Sequence, residues 1–244
     1  FLWKAFHNKD STALLLLMLE KDMPIDCALY ADTGMEFPEM EAHMAKLDDL
    51  LFRKRGIHII TLRHPQGFEW LMFERPVNRA PGCAPNGYGW PLGAPGHRWC
   101  TGHLKHHLIS KEINRLKKEK NALNYIGIAA DEAHRCKMDK HNRYPLVEWG
   151  ITEPKALQIC YDRGFDWGGL YKIYRRCSCW CCPLQRIDEL RKLRRHHPEL
   201  WARLRDMDDR ARAMFGPGPL GQFKQNWSVA RLEERFAREE AESA

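Results

Sequence analysis

The sequence predicts an α/β protein in which a mostly parallel sheet is wrapped by helices and followed by a helical C-terminal extension. Apolar, strand-like stretches at residues 1–6, 25–34 and 57–64 alternate with stretches of helical spacing at residues 12–22 and 37–56. The links between these stretches are short. Because parallel neighbouring strands need a crossover of helical length, this alternation favours a parallel sheet.

The first half of the chain contains three of the predicted strands and two helices. Residues 7–11 form a turn after the first strand, and the first helix begins near Ser11, whose hydroxyl is a good N-cap. The second strand ends in a turn at Thr33 and Gly34. The second helix, over residues 37–56, ends at Gly56 and places four apolar residues on one face. These are Met40, Met44, Leu47 and Leu51.

The second half of the chain begins with a long loop at residues 66–96, which is dense in glycine and proline. A helix at residues 97–120, a fourth strand at 124–131 and a helix ending before Gly164 follow. Residues 187–215 have helical spacing with a new helix starting at Pro198, and residues 228–244 form a tail helix. We therefore expect an α/β domain at residues 1–183 and a helical extension at residues 184–244.

Composition limits the class of protein. The chain has 244 residues, a net charge of +7 and nine cysteines. No apolar run reaches the roughly 20 residues of a membrane-spanning helix, and no secretory leader is seen at the start. An odd number of cysteines does not fit the disulfide framework of a small secreted domain, so we expect a cytoplasmic protein that uses cysteine for metal or redox chemistry. The positive charge suits an anionic partner.

Four cysteines crowd into the stretch RRCSCWCCPLQR at residues 175–186. Cys179 and Cys182 form a C-x-x-C pair, which can present two thiolates to one zinc ion or one iron–sulfur cluster. Cys100 is the best distant partner, because it opens a helix, where a thiolate is favoured. Cys177 or Cys181 would be the fourth ligand. Burial as small apolar side chains is the alternative, but packing does not explain so dense a cluster.

The stretch HNKDS at residues 7–11 lies between a strand and a helix. Free backbone N–H groups and the helix dipole make such a turn a candidate anion site. An ordinary capped turn is the alternative. If a phosphate binds there, the residues nearest to it are Asn8, Lys9, Asp10, Ser11 and Thr12.

Five motifs occur in the order found in the phosphoadenosine phosphosulfate (PAPS) reductase family. They are HNKDS at residues 7–11, ADTGMEFPEM at 31–40, RWCTGHLK at 98–105, GIAADEAHR at 127–135 and CWCCP at 179–183. The chain resembles this family, which belongs to the PP-loop ATP pyrophosphatase group of adenine nucleotide alpha hydrolase-like folds. The resemblance covers most of residues 1–215.

The resemblance implies an adenine-nucleotide site and a [4Fe-4S] cluster, with zinc as the alternative metal. The catalytic residues would be Asp10 and Cys100. The cluster ligands would be Cys100, Cys177, Cys179 and Cys182. Besides residues 8–12, the nucleotide, either ATP with Mg²⁺ or adenylyl sulfate, would meet Asp32, Thr33, Gly34, Arg98, Asp131 and Arg135.

The chain departs from the family pattern at two places. His7 and Asn8 replace the glycine pair of the phosphate loop, and no cysteine follows Cys182 to act as the terminal nucleophile of a reductase. The favoured function is therefore ATP-dependent sulfur transfer to a nucleic acid or nucleotide, with a thiol or a cysteine desulfurase as sulfur donor. The alternatives are a sulfonucleotide reductase and a non-enzymatic accessory factor in a nucleic-acid-handling system.

Two further features of the sequence bear on nucleic-acid binding. Residues 191–197 carry a basic run, which is more often a solvated helix face than a phosphate contact. It consists of Arg191, Lys192, Arg194, Arg195, His196 and His197. Tyr88 and Trp180 have rings that can stack on a base, but core packing is the favoured role for both.

Overall fold

A computed structural model describes residues 2–5, 8–80, 82–84, 86–91, 98–119 and 123–243. His7, residues 92–97 of the expected loop and the end of the helix expected at 97–120 lie outside the described residues. The chain forms two compact units. Unit 1 comprises Phe1–Asp32, Glu36–Arg63 and Lys105–Ser178, and unit 2 comprises Thr33–Met35, His64–Leu104 and Cys179–Ala244. The domain boundary expected after residue 183 stays a prediction.

A parallel sheet lies in unit 1. Its strands are β1 (Leu2–Ala5), β2 (Cys27–Asp32), β3 (Ile59–Arg63), β4 (Asn124–Ile126) and β5 (Asn142–Arg143). Their order is β3-β2-β1-β4-β5, and every neighbouring pair is parallel. The α/β class expected from the sequence is confirmed. The fifth strand was not predicted, because two residues carry no alternation.

Eleven α-helices are present in the described residues. They are α1 (Lys9–Glu20), α2 (Glu39–Arg55), α3 (Gly67–Phe73), α4 (Trp99–Thr101), α5 (His107–Glu119), α6 (Pro145–Glu148), α7 (Glu153–Asp162), α8 (Leu170–Ile173), α9 (Ile187–His196), α10 (Pro198–Phe215) and α11 (Val229–Ser243). A π-helical segment joins α4 to α5, and two 3₁₀ segments cover Ala130–Arg135 and Trp167–Gly169. None of these helices is both long enough and apolar enough to cross a membrane.

The long predicted helices are confirmed, with two corrections. In α2, Met40, Met44, Leu47 and Leu51 are buried, and Gly56 ends the helix in the left-handed conformation. The expected N-cap Ser11 is wrong. Helix α1 begins earlier, at Lys9, because Asn8 is an equally good cap and accepts a hydrogen bond from the Ser11 N–H at 3.1 Å.

The second correction concerns the loop expected at residues 66–96. Its start forms the short helix α3, in which Phe68, Leu71 and Met72 are buried. Their i, i+3, i+4 spacing is that of a helix face, and the glycine and proline residues that follow obscured it. The remaining described part of this segment contains no further helix.

The strand order reverses between β1 and β4, and in sheets of this kind the ligand crevice lies at the carboxyl ends of two such strands. The chain leaves β1 toward β2 on one side and leaves β4 toward β5 on the other. Because parallel crossovers are right-handed, this reversal places α5 on the opposite face of the sheet from α1 and α2. Open α/β sheets bind ligands where the strand order reverses, so the segments after β1 and β4 are the first place to look for a site.

Unit 2 is built on α9, α10 and α11, with a buried carboxylate in its core. Asp208 on α10 is 1% exposed. It accepts hydrogen bonds from the Trp90 indole N–H at 3.0 Å, the Phe223 N–H at 2.7 Å and the Val229 N–H at 2.7 Å. One side chain thus holds the segment after α3, the linker after α10 and the start of α11.

Candidate functional site

The first turn of α1 follows β1 at the crevice, and its polar residues are buried. Lys9, Asp10, Ser11 and Thr12 are all less than 9% exposed. The Lys9 N–H donates to the Tyr171 hydroxyl at 3.1 Å, and the Thr12 N–H donates to the Asn8 carbonyl at 3.1 Å. The Thr12 bond is the first regular hydrogen bond of α1, whereas the Tyr171 hydroxyl and the Asn8 cap occupy the Lys9 and Ser11 N–H groups, which a helix start otherwise leaves free. A phosphate would therefore not find them free.

A glycine after β4 brings the neighbouring segment against this turn. A Cβ on Gly127 would lie 2.8 Å from the Ser11 Cα and 2.9 Å from its nitrogen. Such distances are too short for any real side chain, so only glycine allows this approach. The chain then continues into the 3₁₀ segment Ala130–Arg135, which carries Glu132.

Three carboxylates meet at this point. One oxygen each of Asp10, Glu132 and Glu153 lies within 4.8 Å of the others. The Lys9 ammonium lies 2.6 Å from Glu153 Oε1 and 3.7 Å from Asp10 Oδ1. Asp10 is 2% exposed, and its Oδ1 has no hydrogen-bond partner among the described residues. Burial raises the pKa of the Asp10 carboxyl to about 6, and the nearby Lys9 charge lowers it only in part.

Two of the expected nucleotide ligands support this acidic cluster. Asp131 accepts a hydrogen bond from the Glu153 N–H at 3.0 Å, which fixes the start of α7. Arg135 is paired with Glu132. Asp131 and Arg135 therefore both lie next to the acidic cluster, where they contact Glu153 and Glu132 and help to hold them in place. Glu132 and Glu153 were missed, because adjacent acidic residues and a glutamate at a helix start are common.

The Asp-Thr-Gly turn divides between the two units. In unit 1, Asp32 accepts a hydrogen bond from Arg63 Nε at 3.0 Å. In unit 2, the Thr33 hydroxyl lies 3.4 Å from Cys179 Sγ and accepts a hydrogen bond from the Met35 N–H at 3.2 Å. Gly34 has a positive φ of 76°. Thr33 is thus a contact of the cysteine segment.

Three of the four expected cluster ligands belong to unit 2. The Cys182 N–H donates to the Cys179 carbonyl at 3.2 Å and closes a turn between the C-x-x-C thiols. Burial raises the pKa of the Cys100 thiol, and the negative charge that Cys182 can carry raises it further, so these two residues lie within electrostatic reach of each other. Cys177 is buried in unit 1.

No thiolate cage of zinc size is formed by the described residues. Within them, Asp10, Glu132 and Glu153 are the one group of three or more His, Cys, Asp or Glu ligand atoms that lie within 4.8 Å of one another. Tetrahedral zinc would hold its thiolates about 4 Å apart, whereas in an iron–sulfur cluster each thiolate binds a different iron and needs more room. The expected ligand set stays a prediction.

The remaining candidates are Arg98, Trp180 and the basic run of α9, and the last two make contacts within the protein. Arg98 is exposed at the start of α4. Trp180 is buried, as core packing requires. In the basic run of α9, Arg191 pairs with Glu239 at 2.5 Å and Arg194 pairs with Glu233 at 2.9 Å, so α11 neutralises part of its charge.

A buried histidine, His43, contacts the first turn of α1. His43 Nε2 lies 3.1 Å from the Thr12 hydroxyl, and its ring stacks on Trp167 at 4.5 Å. Burial, helped by Lys46, lowers the pKa of His43 from 6.5 to about 3. Below pH 6.5 the unfolded chain therefore binds a proton that the folded chain does not. Stability from this group is complete above pH 6.5 and is lost as the pH falls toward 3.

We expect His43→Gln to flatten this pH dependence. Between pH 7.5 and pH 5 the free energy of unfolding of the wild type should fall by about 2 kcal/mol because of His43. This contribution should be missing in the variant. Urea unfolding at the two pH values measures the difference. The exposed His107→Gln is the matched control and should keep the wild-type slope. An unchanged slope in His43→Gln would contradict a neutral, buried imidazole.

Comparison with known proteins adds one distant similarity. No protein-family model matches the chain, and no solved structure matches it. The chain is similar to an uncharacterized protein of Methanocaldococcus jannaschii, with 27% identity over 216 residues. The alignment covers 80% of this chain and 38% of the relative, so the chain spans less than two fifths of that protein's length.

Proposed function

We propose that the crevice between β1 and β4 binds a magnesium–nucleotide and that the chain uses it for ATP-dependent sulfur transfer. The observation that carries the proposal is the Asp10 carboxylate. It is almost fully buried, one of its oxygens lacks a hydrogen bond among the described residues, and it faces Glu132 and Glu153. The Lys9 ammonium, 3.7 Å from this oxygen, is too far to donate a hydrogen bond to it. A buried carboxylate oxygen without a hydrogen bond is costly, and a directly bound cation would satisfy it.

The donor set favours a hard divalent ion. Carboxylate oxygens are the ligands that Mg²⁺ prefers, and Mg²⁺ is usually held by one or two carboxylates together with substrate phosphates. Because protein groups already occupy the Lys9 and Ser11 N–H groups in the first turn of α1, the metal, rather than the backbone, would provide the main attraction for phosphate. When bound, magnesium supplies neutralisation of the phosphate charge.

The resemblance to PAPS reductases and PP-loop enzymes supplies the reaction class. Adenylation of an acceptor would take place at the crevice, and Asp10 and Ser11 would face the pyrophosphate. The incoming sulfur would be carried by the thiols of unit 2, with an iron–sulfur cluster on Cys100, Cys179 and Cys182. The closed turn between Cys179 and Cys182 supports this assignment, as does the electrostatic effect of Cys182 on Cys100.

The test is nucleotide binding by an Asp10→Asn variant. Wild-type protein purified without oxygen should bind ATP in the presence of Mg²⁺ and should lose it on chelation. Asp10→Asn should weaken binding by at least about tenfold, because it removes a charged ligand. Asparagine has the shape of the protonated acid, so the fold should be kept. Isothermal titration calorimetry gives the affinity, and pyrophosphate exchange reports adenylate formation.

Asp49→Asn is the matched control for this experiment. Asp49 is an exposed aspartate on α2 that pairs with Arg53, so its loss removes the same charge from the surface of unit 1. Its nucleotide affinity should equal that of the wild type. If the wild type binds no Mg²⁺–ATP, or if both variants bind alike, the proposed site is wrong.

A non-enzymatic accessory role is the second candidate. It is favoured by the closed first turn of α1, in which the Asn8 cap and the Tyr171 hydroxyl occupy N–H groups. Nucleotide binding without pyrophosphate exchange would support this role over sulfur transfer.

A further inference from the structure

Unit 2 contains a second cluster of polar side chains, outside the acidic crevice. Arg75 follows α3, and its Nη1 lies 3.2 Å from His103 Nε2. The guanidinium lies over the Tyr88 ring, 4.9 Å from its centre. The Tyr88 hydroxyl lies 3.1 Å from the same His103 nitrogen, and the two rings stack at 5.4 Å.

The Arg75 guanidinium has no acidic partner among the described residues. Two other arginines of unit 2 do have acidic partners. Arg203 lies 2.6 Å from Glu69, and Arg210 lies 3.5 Å from Glu74. Arg75 is half-buried, and the described part of the chain provides no partner for its Nε and Nη2. These two atoms form the edge of guanidinium that binds an oxyanion through two parallel hydrogen bonds.

The surrounding residues fix this guanidinium in place. Because arginine can only donate, His103 Nε2 accepts its hydrogen bond and carries no proton. His103 lies in the π-helical segment Gly102–His106, a type of turn that often occurs at functional sites. Tyr88 stacks on the buried Trp99 at 5.6 Å, and the Trp99 indole donates to the Gly89 carbonyl at 3.1 Å. The cationic group is therefore preorganised.

We propose that Arg75, held by His103 and Tyr88, is a phosphate-binding site in unit 2. A half-buried cation without a counter-ion attracts an anion, and its open edge matches two oxygens of a phosphate. A doubly charged phosphate is attracted more strongly by this cation than a singly charged carboxylate, so phosphate is the preferred ligand. The inference does not depend on nucleotide binding at Asp10.

Binding of two probes tests the site. The first is inorganic phosphate, followed by calorimetry, and the second is a short, labelled single-stranded oligonucleotide, followed by fluorescence anisotropy. Arg75→Gln should weaken binding by about tenfold or more, because it removes a charge-assisted pair. Arg75→Lys keeps the positive charge but lacks the two parallel N–H donors of a guanidinium, so it should weaken binding less than Arg75→Gln does. Thermal unfolding of each variant checks the fold.

Arg205→Gln is the matched control. Arg205 is exposed on α10 in the same unit, and its substitution removes the same charge. It should leave both affinities unchanged. If Arg75→Gln and Arg205→Gln weaken binding equally, or if neither does, the site is refuted.

The two probes separate the sources of the phosphate. Loss of phosphate and oligonucleotide binding together identifies a nucleic-acid backbone, and loss of phosphate binding alone identifies a small phosphorylated molecule. Either supports the site. Both probes are added with EDTA and without Mg²⁺, so that the metal–nucleotide site proposed at Asp10 stays empty and failure of that proposal is distinguishable from failure of this one. Stronger binding of acetate than of phosphate would overturn the preference for phosphate.

Discussion

Asp208→Ala should destabilise the protein by at least about 3 kcal/mol. The substitution leaves three buried donors, on Trp90, Phe223 and Val229, without an acceptor, and each such group costs about 1 to 3 kcal/mol. That is a large part of the total stability of a typical domain, which is about 5 to 15 kcal/mol. Unfolding in guanidinium chloride, followed by tryptophan fluorescence, measures the loss.

Two further variants test whether the loss of stability comes from the hydrogen bonds of Asp208. Asp209→Ala removes the adjacent, exposed carboxylate and should change stability by less than about 0.5 kcal/mol. Asp208→Asn keeps one oxygen for Trp90 and Phe223 but turns an amide donor toward the Val229 N–H, so its effect should lie between the other two. Equal stability of Asp208→Ala and Asp209→Ala would show that the buried carboxylate does not hold the unit together.

Cys182→Ser should remove most of the bound iron. Under the proposed function, Cys182 provides one of the thiolates of an iron–sulfur cluster, and a serine hydroxyl is a poor replacement for a thiolate at iron. Iron and sulfide content and the visible absorption of protein purified without oxygen provide the measurement. The exposed Cys83→Ser is the matched control and should retain the wild-type iron content.

The same measurement decides between the metals and the fourth ligand. Zinc in place of iron would support the alternative metal, and wild-type protein without either would contradict a metal centre. Cys177→Ser and Cys181→Ser test the two residues that the sequence left open as fourth ligand. The variant that loses metal identifies it.

Much of the fold could be predicted because the long elements carry strong patterns. The apolar face of α2 and the left-handed Gly56 after it are both explicit in the sequence. The short elements were missed for a physical reason. Strand β5 has two residues, too few for periodicity to show, and the helical spacing of the seven-residue α3 is obscured by the glycine and proline residues that follow it.

The sequence predicts one part of the candidate site, the turn after β1, but not the distant residues that contact it. The turn that carries Asp10 is visible as polar residues between a strand and a helix. Glu153 and Tyr171 are far from it in sequence, and nothing near them signals a site. They reach Lys9 only because the sheet order places their segments beside α1. Long-range partners of this kind need the tertiary structure.

The contact between Lys9 and Glu153 has a consequence for the order of events at the crevice. The ammonium already neutralises one of the carboxylates that a divalent ion would share. Under the proposed function, loading the ion and freeing the ammonium would be coupled, and the released charge would become available to a nucleotide. Metal and nucleotide would therefore bind with positive cooperativity, each raising the affinity for the other by the same factor.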